Sequence, residues 1–185
     1  KRYFRLLFPD SEKVSTTSSG GKIEEDLRSS IIGSPSDNIA HLSTSVESFD
    51  DLNSELGAYG SSEKNVGKSK FSIIEGIGEI PLEEKVTERF TQSFDSPEET
   101  GDALISLFPD LTSEEEDTVL KSIDAYLKNQ GGELLNVVEG ENNTVIKVMS
   151  KRSILEELAK SFVSIQSLDS ADVVIETQAI QGEDI

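Results

Sequence analysis

The amino-acid sequence predicts an α+β fold in which a C-terminal module of alternating strands and helices follows a largely irregular acidic arm. Three observations carry that expectation. From Gly101 onward, strand-like and helix-like apolar patterns alternate between clear stop signals. From Ser11 to Lys68 the composition shifts to Ser, Gly, Thr, Asn and Asp, with apolar residues too sparse to offset the entropy of ordering. Finally, the 185 residues are 35% hydrophobic and 6% aromatic, so a core forms only where apolar residues concentrate, which is after residue 70.

Taken in order, Tyr3 to Phe8 reads as a short strand stopped by Pro9-Asp10. Val14 to Gly21 is flexible linker material, and two weak helical patches follow, Ile23 to Ile32 and Val46 to Leu56. Residues 1–68 are therefore expected to be a serine-rich, poorly ordered extension. Residues 69–100 read as a strand and helix brace. In it Phe71 to Ile74 is extended, Gly76-Ile77-Gly78 is a turn, and one helix begins at Pro81, presents Leu82, Val86, either Arg89 or Phe90, and Phe94, and stops at Ser96-Pro97.

Residues 101–185 form the best-patterned block. Ala103 to Phe108 is a strand with Ala103, Ile105 and Leu107 on one face, ended by Pro109-Asp110. Ser113 and Glu116 make a capping box for a helix whose stripe of Val119, Leu120, Ile123, Tyr126 and Leu127 runs to Gly131-Gly132. Leu134 to Val138 and Val145 to Met149 are strands joined by a hairpin turn. Ser150 caps a second helix that presents Ile154, Leu155, Leu158, Ala159 and Phe162. Val163 to Leu168 is extended, and Val173-Val174-Ile175 is the last strand. The order β-α-β-β-α-β closes into a ferredoxin-like sandwich. Its expected core is Ile105, Leu107, Leu120, Ile123, Leu127, Val137, Val145, Val148, Leu155, Leu158 and Val174. Leu7-Phe8-Pro9-Asp10 recurs as Leu107-Phe108-Pro109-Asp110. That recurrence marks either a degenerate second copy of the module or two strands that happen to end in Pro-Asp.

Charge and composition narrow the function. The formal charge is -19, and such a surface repels phosphate backbones and anionic lipid, which argues against nucleic acid and membrane as direct partners. A DNA mimic or a salt-rich habitat would carry the same surplus. With no cysteine there is no disulfide, thiolate zinc site or cysteine nucleophile. The chain opens at Lys1 rather than Met, as a piece of something longer would.

Catalytic and ligand-binding constellations are absent from the pattern. The loop Pro109 to Thr112 carries neither the Arg or Lys of a phosphate cradle nor paired metal-binding cysteines. His41, the single histidine, lies in the arm and reads as a solvated loop residue. Glu114 to Asp117 are the acids a helix macrodipole favours in a first turn, and Gly76-Ile77-Gly78 lacks the third glycine and the lysine of nucleotide loops. Asn142-Asn143-Thr144 fits a hairpin turn as well as it fits a glycosylation triplet. No catalytic residue, cofactor, metal or small-molecule substrate is expected; the expected partner is a protein.

The succession of a strand, the helix Glu114 to Asn129, Gly131-Gly132-Glu133-Leu134-Leu135, a hairpin, the helix Arg152 to Lys160 and the segment Val163 to Val174 resembles the N-terminal propeptide of subtilisin-like serine proteases, over residues 101–185. In that family a glycine-rich turn leads into the second strand, and a valine-led segment with an acidic residue follows the second helix. The resemblance implies a non-catalytic domain that templates folding of the protease and then inhibits it. Its sheet would pack on the catalytic domain, and its tail, here Glu176, Thr177, Gln178, Ala179 and Ile180, would lie in the substrate cleft. The acidic end of this tail departs from the family and suits only a cleft tolerant of acids. The rival expectation is a structural or adaptor subunit of a larger assembly, whose acidic arm orders on contact.

Overall fold

The fold is α+β. The computed structural model describes residues 1–8, 24, 27–60, 76–140 and 143–172. Its elements are β1 (Arg2–Leu7), β2 (Ser30–Ser36), β3 (Ile39–Thr44), α1 (Val46–Gly60), β4 (Gly76–Gly78), α2 (Leu82–Lys85), α3 (Glu88–Gln92), β5 (Thr100–Leu107), α4 (Ser113–Asn129), β6 (Glu133–Glu139), β7 (Thr144–Lys151), α5 (Arg152–Ser161) and β8 (Ile165–Ser170). The strands make two four-stranded sheets, ordered β2-β3-β1-β4 and β6-β7-β5-β8, with every neighbouring pair antiparallel.

In the second sheet, strand alternation sends Ala103, Ile105 and Leu107 of β5 and Ile146 and Val148 of β7 to one face. There they meet Ile123 and Leu127 of α4, Leu155, Leu158 and Ala159 of α5, and Ile165 and Leu168 of β8. Both helices therefore cover one face, as a ferredoxin-like sandwich requires. A Schellman motif ends α4: Gly132 N–H bonds the Leu127 carbonyl at 2.8 Å and Gly131 N–H the Lys128 carbonyl at 3.2 Å. Gly131 supplies the positive φ of 76°. Gly132 is needed for a different reason, since a Cβ there would stand 2.9 Å from the Met149 carbonyl oxygen.

Several local expectations shift. The capping box is Thr112 with Glu115, one residue earlier than Ser113 with Glu116; Thr-x-x-Glu and Ser-x-x-Glu overlap here, so the motif alone does not choose. Ser150 is buried in β7, and Lys151 takes the N-cap position of α5. Val145 is not a core residue: Ile146 and Val148 point inward, which sends Val145 to the opposite face. Leu120 and Val137 pack on the core while staying partly exposed. The last described strand is β8 rather than Val173 to Ile175, which lies outside the described residues. A register shift opposite Ser106 and Leu107 puts Ile165 and Leu168, three residues apart, both inward, and this breaks the alternation by which a strand is recognised.

The helix expected after Pro81 is two short helices. At Val86 the chain is extended (φ -95°, ψ 121°), forms a bridge to Leu168, and Thr87 N–H donates to the Leu168 carbonyl at 3.0 Å. The free edge of β8 thus outcompetes helix continuation for these two residues. Thr87 then caps α3 through Phe90 N–H. Leu82, Val86, Phe90 and Phe94 still reach the core.

Residues 30–60 depart furthest from the sequence reading, which placed them in a poorly ordered extension. They hold β2, β3 and α1, while Gly76 to Gly78, read as a turn, is β4 paired to β1. Glu24 and Leu27 are helical, whereas Ile31 and Ile32, the end of the same expected patch, lie in β2. Phe4, Leu6, Phe8, Leu27, Ala40, Leu42 and Leu52 form a second core, with Ile31, Phe49, Leu56 and Ile77 packed against it. Sparse in sequence, these residues converge because four strands, α1 and the helical Leu27 each contribute a few side chains to one side of the sheet. The order β2-β3-β1-β4 repeats that of β6-β7-β5-β8, so the chain is a topological tandem.

The shared tetrapeptide does not mark the equivalence in register. Phe8 belongs to the first core, whereas Phe108 is buried outside the second core and stacks on Tyr3. The inward residues of β1 are even-numbered and those of β5 odd-numbered, so an offset of the motif maps inward onto outward positions.

Neighbours in β7 separate the two faces experimentally. Ile146→Ala is expected to cost about 2–5 kcal/mol in urea unfolding, and Val145→Ala about 1 kcal/mol or less. The reverse order would mean that β7 is seated one residue out of register.

Candidate functional site

Strand β3 is buried on both sides from Ala40 to Thr44. Ala40 and Leu42 serve the first core, and alternation turns His41 and Ser43 to the outer face beside Tyr3 and Arg5 of β1. That face seats on the second unit through two carboxylates. Glu84 of α2 bonds His41 Nε2 at 2.6 Å and pairs with the Arg5 guanidinium. Asp110, after β5, accepts from the Ser43 hydroxyl, from the Tyr3 hydroxyl at 3.3 Å and from Lys1 Nζ at 3.1 Å. Tyr3 also stacks on Phe108, with ring centroids 4.5 Å apart and planes 13° from parallel. Burial, reinforced by Asp110, pushes the Tyr3 phenol well above its ordinary range.

His41 is therefore not a solvated loop residue. Its side chain is 6% exposed and engaged by Glu84, and Ser43 Oγ is committed to Asp110. The arrangement ties two units together. The sequence reading missed Arg5, Glu84 and Asp110 in this role, having taken Asp110 only as a strand stop. The available signal was the rare cationic cluster Lys1, Arg2 and Arg5 in an acidic chain, which requires anionic partners.

Two of the acids of Glu114 to Asp117 have hydroxyl or amide donors. Glu115 accepts from Thr112 N–H at 2.8 Å, and that bond holds its carboxyl below the usual range. Glu116 accepts from the Thr144 hydroxyl. Among the described residues no group of three potential metal ligands occurs, and no helix is long and apolar enough to cross a membrane.

A second surface is the helix-free face of β6-β7-β5-β8. Alternation places Asp102, Leu104 and Ser106 of β5, Val145, Lys147 and Met149 of β7, and Val138 of β6 there, and none of them is buried. Lys147 and Asp102 form an ion pair of 2.8 Å across it, each about two-fifths exposed. Among the described residues, the first unit meets the second through Phe108, Asp110 and Glu84, and through Gln166 beside Gly33. The expected tail, Glu176, Thr177, Gln178, Ala179 and Ile180, lies outside the described residues.

Lys85 of the brace is a buried cation, 6% exposed, with Nζ donating to the Ala159 carbonyl at 3.0 Å at the end of α5. Desolvation pushes its pKa down from 10.5 to about 8.

Compared with known proteins, the chain matches no family model and no curated relative.

Two outcomes follow from this geometry. Asp110→Ala leaves the Tyr3 and Ser43 hydroxyls without their acceptor, at a cost of about 1–3 kcal/mol. It should speed amide exchange in β1 and β3 while β5 and β7 stay protected; equal loosening of both sheets would show that Asp110 supports more than the junction. Lys85 binds its proton less tightly folded than unfolded, so stability should rise as pH climbs from about 8 toward 10. Above pH 10 the raised Tyr3 phenol works in the opposite direction, because the unfolded chain releases that proton first. Lys85→Met should flatten the slope between about pH 8 and 10 in denaturant titrations; an unchanged slope would remove Lys85 as its source.

Proposed function

We propose that the chain is a non-catalytic protein-binding module that acts on a subtilisin-like serine protease as a propeptide does, assisting its folding and then inhibiting it. The observation that carries this reading is the face of β6-β7-β5-β8 opposite α4 and α5. Covering one sheet face with both helices leaves the other to solvent or a partner. Here that face offers Leu104, Val138, Val145 and Met149 around the Lys147 and Asp102 ion pair, a mixed apolar and polar composition suited to a protein interface. The first unit supports the reading by its position, because its described side chains anchor on Glu84 and Asp110. In this reading the catalytic domain sits on the sheet, and Glu176 to Ile180 extend from beyond β8 into its cleft. Catalysis then belongs to the partner.

The test uses the purified chain and a bacterial subtilisin. The intact chain should slow peptide hydrolysis and raise the yield of active enzyme on refolding. Met149→Lys on the open face, and truncation after Ile175, should each weaken inhibition by about tenfold or more with the melting temperature unchanged. A chain that neither inhibits nor assists refolding sinks the proposal in favour of an adaptor role. Inhibition that Met149→Lys leaves intact moves the contact off the open face.

A further inference from the structure

The two sheets present four outer edges, and the described residues guard three of them. Strand β2 carries Pro35 and two register irregularities, and β4 is only three residues long. Strand β8 is bridged by Val86 and bonded by Thr87. These are ordinary ways of blunting a sheet edge. Strand β6 differs. It spans seven residues, Glu133 to Glu139, without Pro, Gly, Lys or Arg, and stands last in its sheet with no described residue paired outside it. Its irregularity lies between Leu134 and Asn136, so Asn136 to Glu139 pair regularly with β7. Two of the exposed large apolar side chains are on this strand, Leu135 at 41% and Val138 at 57%.

We propose that β6 is a docking edge that accepts an extended segment of a partner protein as an added strand, apolar at its centre and flanked by Lys or Arg. Main-chain groups along β6 give the pairing, as in other strand-addition complexes. Leu135 and Val138 meet the apolar centre, and Glu133 and Glu139 meet the cationic ends. Charge selects this occupant over a second copy of the chain. Antiparallel self-pairing centred on Asn136 sets Glu133 opposite Glu139 at both ends, which is repulsive, and each added copy brings a charge of -19. The site borders the open face and shares Val138 with it, but does not rest on the protease reading: pairing lies in the plane of the sheet, whereas the protease would stack on it.

The probe is a capped heptapeptide, Lys-Val-Thr-Val-Thr-Val-Lys, titrated into the full chain at low ionic strength, with a Glu-flanked version as control. Saturable binding should slow exchange of the outward amides between Glu133 and Glu139. The control should bind about tenfold or more weakly, because complementary charge is part of the recognition. Val138→Lys, at an exposed position, should lower affinity by about the same factor, with a melting temperature that shows the fold is kept. Four outcomes overturn the proposal. These are equal binding of both peptides, protection confined to the face of Leu104 and Met149, and outward β6 amides already protected in the free chain. The last is protection that grows with chain concentration, which would identify a second copy as the occupant.

Discussion

Two carboxylates, Glu84 and Asp110, set the relation between the halves of this molecule. Each collects hydroxyl, imidazole or cationic donors from the outer face of β1 and β3, and neither is freely solvated. Partly desolvated acids are costly unless their lone pairs are met by donors. The first strand meets that need with Lys1, Tyr3 and Arg5, so the scarce positive charge of an acidic chain lies where the acids are buried. The first core depends on this contact too. A seven-residue set of buried apolar side chains is small, and β3 completes its enclosure only because its reverse face lies against the second unit.

The tandem topology shows what a sheet order preserves and what it does not. Both units place their first strand centrally, between their third and fourth strands, and both send the inward residues of their first and third strands to a helix-covered core. The outer faces have diverged. One carries Tyr3, Arg5, His41 and Ser43 and is occupied by the neighbouring unit. The other carries Leu104, Val145 and Met149 around the Lys147 and Asp102 pair and is not. Phe8 and Phe108 mark the same divergence, one filling a core and the other forming the stacked contact between units.

Legibility in the sequence followed the strength of the period. The second unit was read element by element because β5, α4, β7 and α5 each keep their alternation or their stripe over at least two turns or three inward positions. The failures have local causes. A bulge hides β8, overlapping capping boxes blur the start of α4, and one residue of phase exchanges Val145 for Ile146. In the first unit the strand at Tyr3 to Phe8 and the helical patch at Val46 to Leu56 were legible, and the other strands were not, for a stronger reason. Strand β3 is buried on both faces with His, Ser and Thr among its residues, so polarity no longer reports exposure. Its neighbour β2 is bulged, and β4 has one apolar side chain between two glycines. The junction was hidden as well, since Glu84 and Asp110 become binding residues only when strands far away in sequence are laid against them. The open sheet face was legible in principle, because any strand read with an inward set has an outward one.

Charge also limits how such a chain associates. At -19, approach of a second copy is opposed at long range, and the opposition weakens only when salt shortens the screening length. Exposed apolar positions such as Leu135 and Val138 can then persist beside acids without driving self-association, because the net field rejects like partners before short-range burial acts. A neutral or cationic surface is not rejected in this way. For the contacts proposed at the open face and the β6 edge, the same surplus favours proteins of opposite charge and ties their specificity to ionic strength.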